Sequence, residues 1–155
     1  MIRTRKRLGL CIALLIVNVT FIWGNSLLPG HLSGAFSDWV RELLAPLLGW
    51  TPGSSSGGGL LRKLAHFTEF MTLGLCLRWL FGMLLTSPTR QWLFAAAASL
   101  LTAGIDETIQ MFVPERGPAL KDVGIDTLGA LLGITALTLI NILIKKSTTK
   151  RSKQL

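Results

Sequence analysis

The chain has 155 residues, enough for one domain; half are hydrophobic, only 15% are charged, and the mean hydropathy is +0.52. That leaves too little polar surface for a soluble globule, and the apolar residues fall in long blocks, as a membrane protein requires. The formal net charge of +8 clusters at the ends of those blocks, which argues against nucleic-acid binding and for contact with anionic headgroups.

The first block, about Leu8 to Leu28, follows Arg3, Arg5, Lys6 and Arg7. A basic start before an apolar run has the form of a signal peptide, but "FIWGNSLLPG" offers no small-x-small cleavage site, so an uncleaved anchor is expected. Cys11 stands at the start of this run, not at its end as a lipoprotein box demands. Cys11 and Cys76 both fall inside spans and are expected as small buried hydrophobes.

The connection from Gly24 to Leu60 comes next. Pro29 and Gly30 in "NSLLPG" break the first span. "SDWVRELLAPLLGW", Ser37 to Trp50, predicts a short interfacial helix with Ser37 as its cap. Trp39 and Trp50 would sit at the interface, Leu43, Leu44, Leu47 and Leu48 recur at helical spacing, and Pro46 weakens the helix. "TPGSSSGGG", residues 51–59, predicts a flexible linker.

Three more blocks are long enough to span a bilayer, about Ala65 to Leu85, Trp92 to Val113 and Val123 to Ile144. The predicted fold is therefore all-α: a single polytopic four-helix membrane bundle over residues 1–155, with a basic tail at 145–155. The N-terminal cluster, Arg78, Arg90, and Lys145, Lys146, Lys150, Arg151 and Lys153 all fall on one side. The other side carries Arg41, Arg62, Lys63, Arg116 and Lys121 interleaved with Asp38, Glu42, Glu115 and Asp122. The positive-inside rule makes the first side cytoplasmic and puts both termini there.

Against this apolar background the charged residues stand out. Ionised side chains inside a span cost about 2.5–3.5 kcal/mol each on insertion scales, yet "LTAGIDETIQMFV" carries Asp106, Glu107 and Gln110. "LLRKLAHFTEF" puts Arg62, His66 and Glu69 on one helix face with Lys63 beside it, and Asp122 and Asp126 share a face of the last span. At about 1.5 Å per residue, His66, Glu69, Asp106 and Asp126 lie at matching depths, roughly 6–10 Å from the same side. One polar pocket walled by spans two, three and four is expected there. A purely structural ion pair needs two charges; Glu69, Asp106, Glu107 and Asp126, all within the spans, with His66 as the single base at matching depth, are a surplus. In contrast, Gly129, Gly133 and Ala95 to Ala98 fit close helix packing.

The segments "RKLAHFTEF", "DETIQMFVPERGPALKD" and "DTLGALLG" resemble the VanZ-like membrane protein family over about residues 60 to 135, and "NSLLPG" is weakly similar to that family's Ser-containing first loop. Position by position, the family's polar signature falls on Lys63, His66, Glu69, Asp106, Glu107, Gln110, Arg116 and Asp122. Phe70 stands where tyrosine is frequent, and Asp126 where asparagine is. The resemblance implies a small polytopic protein of the bacterial envelope, in the cytoplasmic (inner) membrane, in a family named for an accessory component of teicoplanin resistance. It supplies no reaction.

Three classes of function fit these residues. In an enzyme acting on a lipid-linked envelope substrate, His66, Glu69, Asp106 and Glu107 would be catalytic, with His66 as general acid/base. Arg62, Lys63, Gln110, Arg116, Asp122 and Asp126 would then bind the substrate, the basic side chains taking its anionic headgroup. The second class holds such a lipid, or the lipid tail of a glycopeptide, without chemistry. The third, a transporter or proton relay, ranks last because no ionisable path continues to the cytoplasmic side. Carboxylates with a histidine suit Mg²⁺ or Ca²⁺, but no ligand spacing selects a metal or other cofactor. The partners expected are the bilayer and a lipid-linked intermediate, with no nucleic acid; nothing in the pattern sets an oligomeric state.

Overall fold

The computed structural model describes residues 2–48, 58–117 and 119–152. They form five helices, α1 Ile2–Ser26, α2 Gly30–Leu48, α3 Gly58–Leu84, α4 Pro88–Gln110 and α5 Leu120–Ser152, with no strand among them. Four contain stretches long and apolar enough to cross a membrane: Arg5–Ser26, Leu60–Leu84, Pro88–Gln110 and Leu120–Ser147. The protein is an all-α, multi-pass membrane protein, and α2 lies between the first two spans.

The four expected spans are present; the first and third start and end a few residues earlier than expected, at Ile2–Ser26 and Pro88–Gln110, and three further differences have a local cause. The second begins earlier: residues 58 and 59, read as linker, already belong to α3, because Leu60, Leu61, Arg62 and Lys63 are good helix formers whose charges hide them from a hydropathy scan. The last span runs on to Ser152, since Lys145 and Lys146 favour helix equally well. The helix in the first connection starts at Gly30. Ser37 is therefore inside α2, where its Oγ donates back to the Ser33 carbonyl at 2.9 Å instead of capping an end. Pro46 is accommodated in the same helix. Trp50 and residues 51–57 of the expected linker lie outside the described residues.

α2 starts early because its first turn is anchored from elsewhere. Gly30 N–H donates to the Pro114 carbonyl at 3.2 Å, and a carboxylate oxygen of Glu115 accepts from His31 N–H at 2.9 Å. Glu115 itself takes a left-handed backbone, with φ of 63°. A β-carbon at Gly30 would lie 2.6 Å from the Glu115 carbonyl oxygen, so this approach requires glycine. The α1–α2 and α4–α5 connections are thereby tied together at one end of the bundle.

The tightest seam joins α3 and α5. β-Carbons at Gly129, Gly133 and Gly74 would run into the carbonyl oxygens of Phe67, Met71 and Ala130 respectively, so the two backbones touch with no side chain between them. Gly129 faces Phe67 and Gly133 faces Met71, so both numbers rise together and the helices run in the same direction, with α4 returning antiparallel. This register brings Asp126, one turn before Gly129, level with His66, next to Phe67. Gly129 and Gly133 thus do the close packing their spacing suggested.

α4 buries one stripe, Gln91, Ala95, Ser99, Ala103, Asp106, Glu107 and Gln110. Small residues along most of its length let α4 press close, and the stripe ends in the polar residues. The core is Ile22, Phe70, Leu73, Leu77, Ala95, Ala103, Ala130 and Ile134. Large apolar side chains such as Leu101, Leu128 and Leu139 stay exposed, as lipid-facing positions do. Cys11 and Cys76 are buried free thiols. At the basic end, Arg78 is turned inward, 4% exposed, with Nε donating to Thr138 Oγ1 at 2.9 Å.

Candidate functional site

At the opposite end, α1 and α4 finish and α3 and α5 begin, so three polar helix segments and the tip of α1 meet. His66 stands between α4 and α5: its Nδ1 is 3.9 Å from Asp106 Oδ2 and 3.9 Å from Asp126 Oδ1. Both aspartates are buried, at 0% and 1% exposure. Asp106 is held in place by Gln110, whose Nε2 donates to its Oδ2 at 2.9 Å and to Ser26 Oγ at 3.2 Å. Asp126 accepts no hydrogen bond among the described residues.

Two of the expected acids point elsewhere. Glu69 Oε1 accepts from Asn25 Nδ2 at 2.9 Å, so this glutamate faces α1 and does not orient His66. Asn18 Nδ2 also reaches the Glu69 carbonyl, at 3.4 Å. Glu107 Oε2 accepts from Ala119 N–H at 2.8 Å. It sits at the positive end of the α5 dipole and satisfies one of the backbone donors that every helix start leaves open. Its placement is that of a helix anchor.

Arg116 comes in from the α4–α5 connection. Its Nη2 donates to the Asn25 carbonyl at 3.1 Å, while its buried Nε and Nη1 have no hydrogen-bond partner among the described residues. Burial pulls its guanidinium below the usual arginine range and the charge of Arg62 adds to this, against the opposing pull of Asp106, Glu107 and Glu69. A narrow opening to the exterior of the bundle is lined by Arg62, Lys63, His66, Asp122, Ile125 and Asp126. Arg62, Lys63 and Asp122 are mouth residues, and Gln110 is a support for Asp106.

The helices therefore bring His66, Asp106 and Asp126 together, put Arg116 near them and Arg62, Lys63 and Asp122 at the approach, and turn Glu69 and Glu107 outward to α1 and α5. Sequence reasoning missed Asn25 and Ser26. Both lie in "NSLLPG", which signalled the end of a span and a weak similarity to the family's Ser-containing first loop but assigned neither residue a place in the site; two polar residues closing an apolar helix were the available cue. Chemically, the cluster offers an imidazole between two carboxylates beside a guanidinium with donors to spare. It can move a proton, bind a cation or hold an anion.

Fold and site together define a small polytopic membrane protein with an ionisable cluster at one end of its bundle. The chain belongs to the VanZ/LLP1 family, whose model matches residues 8–141 and so takes in the whole polar end. No curated protein and no solved structure matches it.

Proposed function

We propose that this protein sits in the bacterial cytoplasmic membrane with both termini in the cytoplasm, and that its polar end binds the anionic headgroup of an envelope lipid or lipid-linked intermediate from the outer leaflet. The observation that carries this is Arg116: a half-buried guanidinium whose Nε and Nη1 are shielded from water yet have no hydrogen-bond partner among the described residues. Buried donors of this kind are nearly always satisfied, and guanidinium N–H groups make strong, charge-assisted hydrogen bonds to phosphate or carboxylate oxygens. Arg62 and Lys63 at the opening draw an anion toward it.

The same site has the parts for processing what it binds. His66, flanked by Asp106 and Asp126, is placed to act as general acid/base on a group bound beside it. A link to glycopeptide resistance follows if the lipid held there is one the antibiotic needs, so that holding or altering it removes the target.

The test is native mass spectrometry of the purified protein with its retained lipids. Wild type is expected to keep an anionic lipid through delipidating washes, and Arg116→Gln to lose most of it while remaining folded. Equal retention by both proteins would refute the proposal.

A further inference from the structure

We infer that His66, Asp106 and Asp126 form a binding site for one divalent transition-metal ion, with Zn²⁺ the best fit. This goes beyond the lipid proposal and does not depend on it. One potential ligand atom from each residue lies within 4.8 Å of the other two. The three come from three helices, and the glycine seam between α3 and α5 fixes the spacing of two of them.

The second observation is the state of these atoms. His66 Nδ1, Asp106 Oδ1 and both carboxylate oxygens of Asp126 are buried without a hydrogen-bond partner among the described residues. Asp126 is 1% exposed, and its Oδ1 is 3.9 Å from His66 Nδ1. That distance is too long for a hydrogen bond and too short for an intervening water. An ion between them gives His66 Nδ1 and the Asp126 carboxylate a partner and neutralises carboxylates that the low-dielectric surroundings penalise.

The geometry suits a small ion. Tetrahedral Zn²⁺ with ligands at about 2.0–2.1 Å holds them about 3.3–3.4 Å apart, so the two 3.9 Å separations need to close by about half an ångström, and the two aspartates, within 4.8 Å of each other, must draw together as well. An imidazole nitrogen among the ligands favours Zn²⁺ over Mg²⁺ or Ca²⁺, which prefer all-oxygen shells. Three protein ligands leave a fourth position for water or an anionic oxygen. Gln110, donating to Asp106 Oδ2, is the outer-shell partner that such sites use to aim a ligand. The opening lined by His66 and Asp126 gives an approach for the ion.

The experiment uses the full chain in detergent, stripped with chelator and reloaded with Zn²⁺. Metal analysis is expected to give one Zn²⁺ per chain, and zinc X-ray absorption one imidazole among nitrogen and oxygen ligands. Gln110→Ala is expected to weaken Zn²⁺ binding about tenfold. Asp126→Asn and His66→Gln should weaken it further, and Glu115→Gln, at the surface pair with His31, should leave it unchanged. Substoichiometric zinc in the folded wild type, an absorption spectrum without imidazole, or unaltered affinity in Asp126→Asn and His66→Gln would each overturn the inference. Since lipid retention is read through Arg116 and metal through Asp126, the failure of one proposal is distinct from the failure of the other.

Discussion

The α3–α5 seam predicts a large effect from a single methyl group. In Gly133→Ala the new β-carbon meets the Met71 carbonyl oxygen, with Leu75 N at 3.0 Å and the Met71 carbonyl carbon at 3.1 Å. All three are backbone atoms, so no side chain can rotate away and the helices must part. Overpacking of this kind costs about 1–3 kcal/mol, and separation also weakens the Cα–H···O contacts of a close helix pair, at about 0.5–1 kcal/mol each. Alanine's better helix propensity returns at most about 1 kcal/mol. The net loss is about 2 kcal/mol, roughly a 30-fold fall in the folded-to-unfolded ratio. Gly104→Ala is the matched control, since nothing lies within 4 Å of its β-carbon position; it gains the propensity term alone. Unfolding followed by circular dichroism in detergent should therefore move the midpoint down for Gly133→Ala and slightly up for Gly104→Ala. Equal midpoints would mean that the two backbones do not touch.

Asn25→Ala removes the donor to Glu69 Oε1 and leaves a buried carboxylate without it, a loss of about 1–3 kcal/mol. Adding Glu69→Leu to Asn25→Ala should recover most of that loss in the same unfolding assay, because replacing both partners with apolar groups leaves nothing unsatisfied; no recovery would mean the pair is not isolated in this way. Gly30→Ala drives a β-carbon to 2.6 Å from the Glu115 carbonyl oxygen and should release the start of α2. Faster hydrogen exchange at His31, whose N–H is bonded to Glu115, with unchanged exchange in α4, is the expected signature, and unchanged exchange at both places would count against the anchor.

Much of this architecture was legible because lipid imposes a simple rule. Long apolar blocks must be helices, and four of them fix the direction of each span. Gly129 and Gly133 were recognisable as packing residues from their spacing, and matching depths were enough to gather His66, Asp106 and Asp126 at one end. What could not be read was the rotation of each helix about its axis. A spacing of three or four confines residues to a face about 100° wide, and within that arc Glu69 turns to α1 while Asp126 turns to His66. That choice is set by the α3–α5 seam, where Gly74 also takes part, and the partners of the glycines there are carbonyl groups, which leave no trace in side-chain patterns. Asn25 and Ser26 were hidden for the opposite reason: polar residues at a span end look like an ordinary helix stop. α2 escaped its predicted start because its anchor, Glu115, is distant in sequence.

Photo-crosslinking from the mouth of the site tests the central claim most directly. A photo-reactive residue replaces Ile125, which lines the opening, and a second protein carries it in place of Leu128, an exposed apolar position on the same helix. After irradiation in native membranes, the lipids attached at each position are identified by mass spectrometry. Adducts at position 125 should be enriched in one anionic headgroup relative to position 128, and Arg116→Gln should abolish the enrichment. The same bulk lipid profile at both positions, unaltered by Arg116→Gln, would contradict the account.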